Sequence, residues 1–237
     1  MTCTRLVVNG CSYMENYVLG NGHEDLASNL KIEQTYNLSM SGSCNSRILR
    51  TTLRDSYQTT ESTLYIIGLT MFHRYELPIN QQSNSDGRWI SITGNMFTKE
   101  SFPENINENI TITDLNQYSK FWNLVFYQKD ALEDLMYKLL CLIDSLTLRN
   151  HRVVMFNTAE NSVSYYIDNH CFAPLREKKQ IIQGLSWCSI PWQFQQGAYW
   201  PAEDKNIKPD CRHVAPGQHQ WLNEFLVNYI DQNGILK

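Results

Sequence analysis

Hydrophobic residues in this chain fall into short blocks with two spacings. Leu6 to Asn9 is a brief β-rich apolar run that ends at Gly10, and Thr35 to Met40 is a second, closed by Ser41 and Gly42. Thr63 to Leu69 (TLYIIGL) and Arg152 to Asn157 (RVVMFN) are apolar without alternation, the pattern of strands buried on both faces. Other blocks repeat at helical spacing. Within Phe121 to Leu148, residues Leu132, Leu135, Met136, Leu139, Leu140 and Ile143 fall at i, i+3, i+4, i+7, i+8 and i+11, which predicts an amphipathic helix. Asn45 to Asp55 predicts another, with Ile48 and Leu49 on one face and Arg47, Arg50 and Arg54 elsewhere. A shorter helical stretch follows polar residues around Asp25 to Leu30. Gly217 to Tyr229 predicts a closing helix with Trp221, Leu222, Phe225 and Leu226 inward.

Strands alternating with helices predict a single α/β domain over 1–237, built on a mainly parallel sheet. There is no internal repeat. Two stretches interrupt the rhythm: roughly 71–118, rich in Asn, Ser, Gln and Thr, and roughly 159–209, aromatic and irregular. Each begins where a strand ends. In open α/β sheets that end of the strands faces the ligand crevice, so the insertions are placed as lids or specificity walls, and equally as decoration or an oligomer surface. A fifth strand falls loosely within Ile181 to Ser189.

Composition narrows the function classes. The 237 residues are 42% hydrophobic and 12% aromatic, enough for a large core and unlike a disordered chain. Lys and Arg number 20 against 24 Asp and Glu, a net charge of -4, which argues against a nucleic-acid partner. Arg176, Lys178 and Lys179 form the one basic cluster and fit a solvated face. No run of 18 apolar residues is present, so no membrane span is expected. The seven cysteines, Cys3, Cys11, Cys44, Cys141, Cys171, Cys188 and Cys211, include no CxxC pair and no zinc-finger spacing, so neither a metal nor a cofactor is expected. The odd count and the absence of a signal-peptide pattern point to reduced thiols and a cytoplasmic location.

Small polar residues cluster where the strands end. Asn9-Gly10-Cys11-Ser12-Tyr13 follows the first strand and sets a serine in a strand-to-helix turn, with backbone N–H groups available to an oxyanion. Ser39 to Asn45 (SMSGSCN) follows the second, where Gly42 lets the backbone approach a substrate. Gly68-Leu69-Thr70 follows the third. Near the other end of the chain stands Asp210-Cys211-Arg212-His213. An Asp three residues before a His can fix the imidazole tautomer while the second ring nitrogen faces a hydroxyl. With Ser12, these are the parts of a nucleophilic triad.

The order and spacing of these segments resemble the SGNH hydrolases, the GDSL esterase/lipase family. Gly10-Cys11-Ser12 resembles the family's Gly-Asp-Ser block, with Cys11 in place of the Asp. Ser41-Gly42 resembles the second block, Gly68-Leu69-Thr70 falls where the third has Gly-x-Asn, and Asp210 with His213 matches the DxxH of the fifth. PGQHQWLNEFL, which follows, resembles the family's usual final helix. The resemblance covers about half the chain and excludes both insertions. It implies a three-layer α/β/α fold, similar to flavodoxin, with about five parallel strands. It also implies ester hydrolysis through an acyl-enzyme, with Ser12 as nucleophile, His213 as general base and Asp210 orienting it. The N–H groups of Ser12 and Gly42 would form the oxyanion hole. The family's third donor is an Asn side chain, and Thr70 stands in its place. Asn45 and Arg74 are the candidate replacements, although pairing with Glu76 or another carboxylate is the favoured role for Arg74.

The expected activity is therefore a serine esterase acting on a small-molecule or glycan ester, with the acyl or acetyl group on a sugar or small metabolite. Acyl transfer on the same scaffold and a catalytically silent binding protein are the alternatives. Among other residues, Cys11 is expected as a buried neighbour of Ser12 and His219 as a packed helix residue. His23 and His73 are expected at the surface. Trp187, Trp192, Tyr199 and Trp200 suit either the small core of the second insertion or a stacking platform for a sugar or acyl chain.

Overall fold

The computed structural model describes residues 3–40, 42–70, 75–78, 89–92, 111–126, 129–158, 175, 178–182 and 216–237. In chain order the elements are β1 (Arg5–Asn9), α1 (Ser12–Leu19), α2 (Gly22–Leu30), β2 (Gln34–Asn37), α3 (Asn45–Gln58), β3 (Thr63–Leu69), β4 (Tyr75–Pro78), β5 (Trp89–Ile92), α4 (Ile112–Phe126), α5 (Lys129–Leu148), β6 (Arg152–Asn157) and α6 (Pro216–Asn233). The two unbroken apolar runs, Thr63–Leu69 and Arg152–Asn157, are strands with the expected limits.

Four strands form one all-parallel sheet in the order β2-β1-β3-β6, so the expected α/β fold with a parallel sheet is present. Arg5 stands opposite Gln34 on one side and Thr63 on the other, and Leu69 stands opposite Asn157. A single parallel bridge, Met155 to Ile181, lies beyond β6.

Alternate side chains of β1, β3 and β6 feed two cores, while β2 is not buried. Leu6, Val8, Leu64, Ile66, Val154 and Phe156 pack with α1, α2 and α6 on one face. Val7, Tyr65, Ile67, Leu69, Val153 and Met155 pack with α3 and α5 on the other. A strand covered on both faces has no polar side to show, which is why these runs lack alternation. Their burial removes the apolar surface that dominates folding free energy.

Three elements differ from expectation. The polar residues after β1 are already helical, because Met14, Tyr17 and Val18 supply an apolar stripe at i, i+3 and i+4 that packs on the first core. The Phe121 to Leu148 pattern is divided between α4 and α5. Within the first insertion, β4 and β5 pair antiparallel as a separate two-stranded sheet, and α4 begins at Ile112. His73, Trp187, Trp192, Tyr199, Trp200 and most of the second insertion lie outside the described residues. Among the described residues no helix is long and apolar enough to cross a membrane.

The connection after β1 runs over the α1/α2 face to β2. The connections after β2 and β3 include α3 and α5 on the opposite face. The strand order therefore reverses between β1 and β3, and open parallel sheets hold ligands in the crevice beyond the C-terminal ends at such a point.

Candidate active site

Ser12 sits at that crevice as the first residue of α1, half-buried. Its position is fixed from below. The buried Asn9 side chain donates to Ile48 O at 3.0 Å, Thr51 Oγ1 at 2.9 Å and Thr52 Oγ1 at 2.8 Å, and accepts the Gly10 N–H at 2.9 Å. The chain then turns sharply. A Cβ on Gly10 would lie 2.3 Å from Met14 Cγ and 3.0 Å from Gly68 O, so only glycine fits there. The Cys11 carbonyl accepts the N–H groups of Met14 and Glu15, both at 3.0 Å, which opens the helix. The first N–H groups of a helix have no acceptor within it, and the helix dipole favours negative charge there. The Ser12 N–H is one of these.

Cys11 is buried as expected, with its sulfur 3.4 Å from Thr158 Oγ1. Thr158 donates its hydroxyl to Leu69 O at 2.8 Å, so the thiol is the donor to Thr158. Three strand ends are thereby joined beneath Ser12.

Gly42 lies in the loop between β2 and α3 at φ 76°, a left-handed conformation that glycine adopts without strain. A Cβ placed there would meet none of the described residues within 4 Å. The surrounding loop is held firmly. Met40 N–H donates to Gly10 O at 3.1 Å, Ser43 Oγ–H donates to Met40 O at 2.6 Å, and Arg47 donates to Leu38 O and Ser43 Oγ, both at 3.1 Å. Cys44 caps α3 by accepting the Arg47 N–H at 3.5 Å. Burial, with the nearby Glu76 charge, pushes its thiol up to about 12, so it stays protonated and is no rival nucleophile.

Asn45 and Thr70 meet as a pair. The Asn45 amide donates to Thr70 O at 3.0 Å and accepts the Thr70 N–H at 2.9 Å. Its carbonyl and one of its two N–H bonds therefore clamp the main chain of Thr70, which is itself 1% exposed. Glu76 receives Arg50 Nη2 at 3.1 Å on both carboxylate oxygens. Arg74, Ser41, Asp210 and His213 lie outside the described residues.

Helix α6 begins three residues after His213 and is fastened to α1. The Tyr17 hydroxyl donates to Asn223 Oδ1, and Asn223 Nδ2 donates to Gly22 O at 3.0 Å. His219 packs edge-on against Tyr17, with centroids 5.4 Å apart, and burial lowers its pKa. It is the packed residue expected. His23 is not at the surface as expected: it is buried on the inner face of α2 with Leu26 and Ala27, and burial lowers its pKa too. Among the described residues no three His, Cys, Asp or Glu side chains come together as a metal site requires. No protein-family model matches the chain, and a search of curated proteins finds no match.

Proposed function

We propose that the chain is a serine hydrolase of the SGNH type that cleaves a carboxylic ester through an acyl-enzyme. The observation that carries this reading is the joint placement of Ser12 and Gly42. Ser12 is the first helical residue at the point where the strand order reverses, and Gly42, beside the next strand end, has open space over it among the described residues. In this mechanism Ser12 Oγ attacks the ester carbonyl carbon while its proton passes to His213, oriented by Asp210. The oxyanion accepts the Ser12 and Gly42 N–H groups. Collapse breaks the ester C–O bond, and His213 returns the proton to the departing alcohol. Water then attacks the acyl carbon, its proton goes to His213, and the acid leaves as the Ser12 hydroxyl is restored.

The strand order and the parallel bridge at Ile181 support the flavodoxin-like, five-stranded sheet that belongs to the same proposal. Cys3, Cys11, Cys44 and Cys141 are free thiols, which fits a cytoplasmic setting. A catalytically silent binding protein on this scaffold is the alternative that Thr70 favours. Its backbone is clamped and its side chain is buried, and the loss of one oxyanion donor costs about a hundred- to a thousand-fold in rate.

Labelling with a fluorophosphonate, read by peptide mass spectrometry, separates the two. Such probes react with serines already activated by a base. A stoichiometric adduct on Ser12, absent in His213→Ala, is the expected result. No adduct under conditions that label a known esterase overturns the hydrolase reading.

A further inference from the structure

Four asparagines lie along the C-terminal edge of the sheet, and three of them are spent on the protein: Asn37 accepts the Ser39 N–H at 2.7 Å. Asn9 bonds α3 and Gly10, and Asn45 bonds both main-chain groups of Thr70. Asn157, the last residue of β6, is different. It is 3% exposed, yet among the described residues its side-chain carbonyl oxygen has no hydrogen-bond partner. Its neighbour Thr158 bonds Leu69 O through both its N–H and its hydroxyl, so the edge around it is well ordered. Strand parity places the Asn157 side chain on the face of Val153 and Met155, the side on which α3 begins, and in register with Leu69 beside Thr70. Buried acceptors in native proteins are almost always paired, and leaving one unpaired costs free energy that an apolar residue would not.

We propose that Asn157 is a substrate-binding residue whose carbonyl accepts a hydrogen bond from a hydroxyl or amide N–H of the ester. This rests on the hydrolase reading and narrows it. Parallel strands lie about 4.8 Å apart, so β6 is about 10 Å from β1 and the Ser12 turn. The donor on the substrate is then several bonds away from the reacting carbonyl. That excludes a bare short-chain ester and selects a group the size of a sugar or an amino acid. A pocket built to pair a substrate donor rejects the analogue without it, because the buried acceptor is then left unpaired.

The test uses matched esters and two variants, Asn157→Leu and Asn157→Ser. The acyl arm compares 4-nitrophenyl 6-hydroxyhexanoate with 4-nitrophenyl hexanoate. The alcohol arm compares acetylated methyl glucoside with cyclohexyl acetate. Wild type is expected to favour the donor-bearing member of one pair tenfold or more in kcat/KM, which also shows which half of the ester meets Asn157. Asn157→Leu is expected to bring that ratio to about one and to melt at or above the wild-type temperature, since the carbonyl it removes bonds none of the described residues. Asn157→Ser, with a shorter acceptor, is expected to keep the fold and lose most of the preference. A lower Tm in both variants shows that the amide serves the fold and overturns the proposal. So does an undiminished preference in either variant, or no preference in wild type. A missing Ser12 adduct in wild type is a separate failure, that of the hydrolase reading. The melting comparison still judges Asn157 in that case.

Discussion

At the N-terminal edge of the parallel sheet, Arg5 grips Asp55 through two hydrogen bonds of 2.7 and 2.8 Å, and the Tyr65 hydroxyl donates to the same carboxylate at 2.7 Å. The Arg5 guanidinium also lies 4.1 Å over the Tyr36 ring, and His151 meets Tyr65 edge-on. Burial pushes the Asp55 carboxyl up, but the bonds from Arg5 and Tyr65 outweigh it and hold its pKa below the ordinary value. At the C-terminal edge the residues are short and uncharged: Asn9, Gly10, Ser12, Gly42, Asn45, Thr70 and Asn157. There the deeper groups bond one another, while Ser12 is half-buried and the Asn157 carbonyl oxygen has no partner among the described residues. One edge completes its long charged side chains internally and so contributes stability. The other is braced underneath, and it is the edge that the hydrolase proposal assigns to substrate.

The largest effect expected from this contrast is at Ser12. Ser12→Ala should lower turnover by at least about a thousandfold while leaving the melting temperature close to wild type. Equal turnover in Ser12→Ala, measured on whichever ester the wild type cleaves, would remove the functional half of the comparison. Asp55→Ala should behave in the opposite way. Breaking a paired charge strands Arg5 and costs about 3 kcal/mol, near the low end for buried pairs because 14% of the Asp55 side chain is exposed. In a chain of this length that is a fall in Tm of about 10 °C. Activity per folded molecule should persist, and a melting temperature unchanged in Asp55→Ala would count against the structural role of this edge.

Between these lies the steric contact that shapes the Ser12 turn. Met14 fills the space over both Gly10 and Gly68: a Cβ on Gly68 would lie 2.4 Å from Met14 Cγ. Gly10→Ala should cost about 1–3 kcal/mol by overpacking and slow labelling of Ser12 as the turn shifts. Adding Met14→Ala removes the nearer clashing atom, Cγ, and leaves Cβ at 2.7 Å, so the double variant should be somewhat more stable than the sum of the single effects predicts. Strict additivity, read from urea unfolding, would show that the crowding is not what requires glycine.

The difference in legibility follows the range of the interactions. β3 and β6 were readable because burial on both faces leaves an unbroken apolar run, and α3 because Ile48 and Leu49 anchor a helical stripe. His23 was misplaced although its signal was present: Leu26 and Ala27 stand at i+3 and i+4 from it on the buried face. The helical start at Ser12 was hidden by length, since an eight-residue helix offers only two turns of periodicity. Asn45 read as a free donor because its partner, Thr70, is 25 residues away. The bond between Cys11 and Thr158 spans 147 residues. Composition and spacing find groups near one another in the chain; they are blind to which amide the fold consumes and which it leaves, as Asn157 illustrates.

The smallest effect expected is an acid response in two steps, which divides the molecule in another way. His23 and His219 lie around the α1, α2 and α6 core, and His151 at the N-terminal edge, where its Nε2 sits 3.3 Å from Ser56 O. Burial is the main cause that lowers the pKa of all three. In the unfolded chain they bind protons near pH 6.5, whereas the folded chain resists until a lower pH. The unfolded state therefore holds more protons in that interval, and stability declines as pH falls below about 6.5. Asp55 behaves similarly in a lower window. Its folded pKa is below its ordinary value of about 3.9, so its contribution is intact above that value and is lost only as pH falls beneath it. Melting temperatures measured from pH 7 to pH 3 should show a shallow decline first and a second one below about pH 4. His219→Phe should shrink the first step and leave the second, whereas Asp55→Asn should remove the second and deepen the His151 share of the first, because the Asp55 charge favours protonated His151. If His219→Phe altered the step below pH 4, the α1, α2 and α6 core and the N-terminal edge would not be the independent units that their bonding implies.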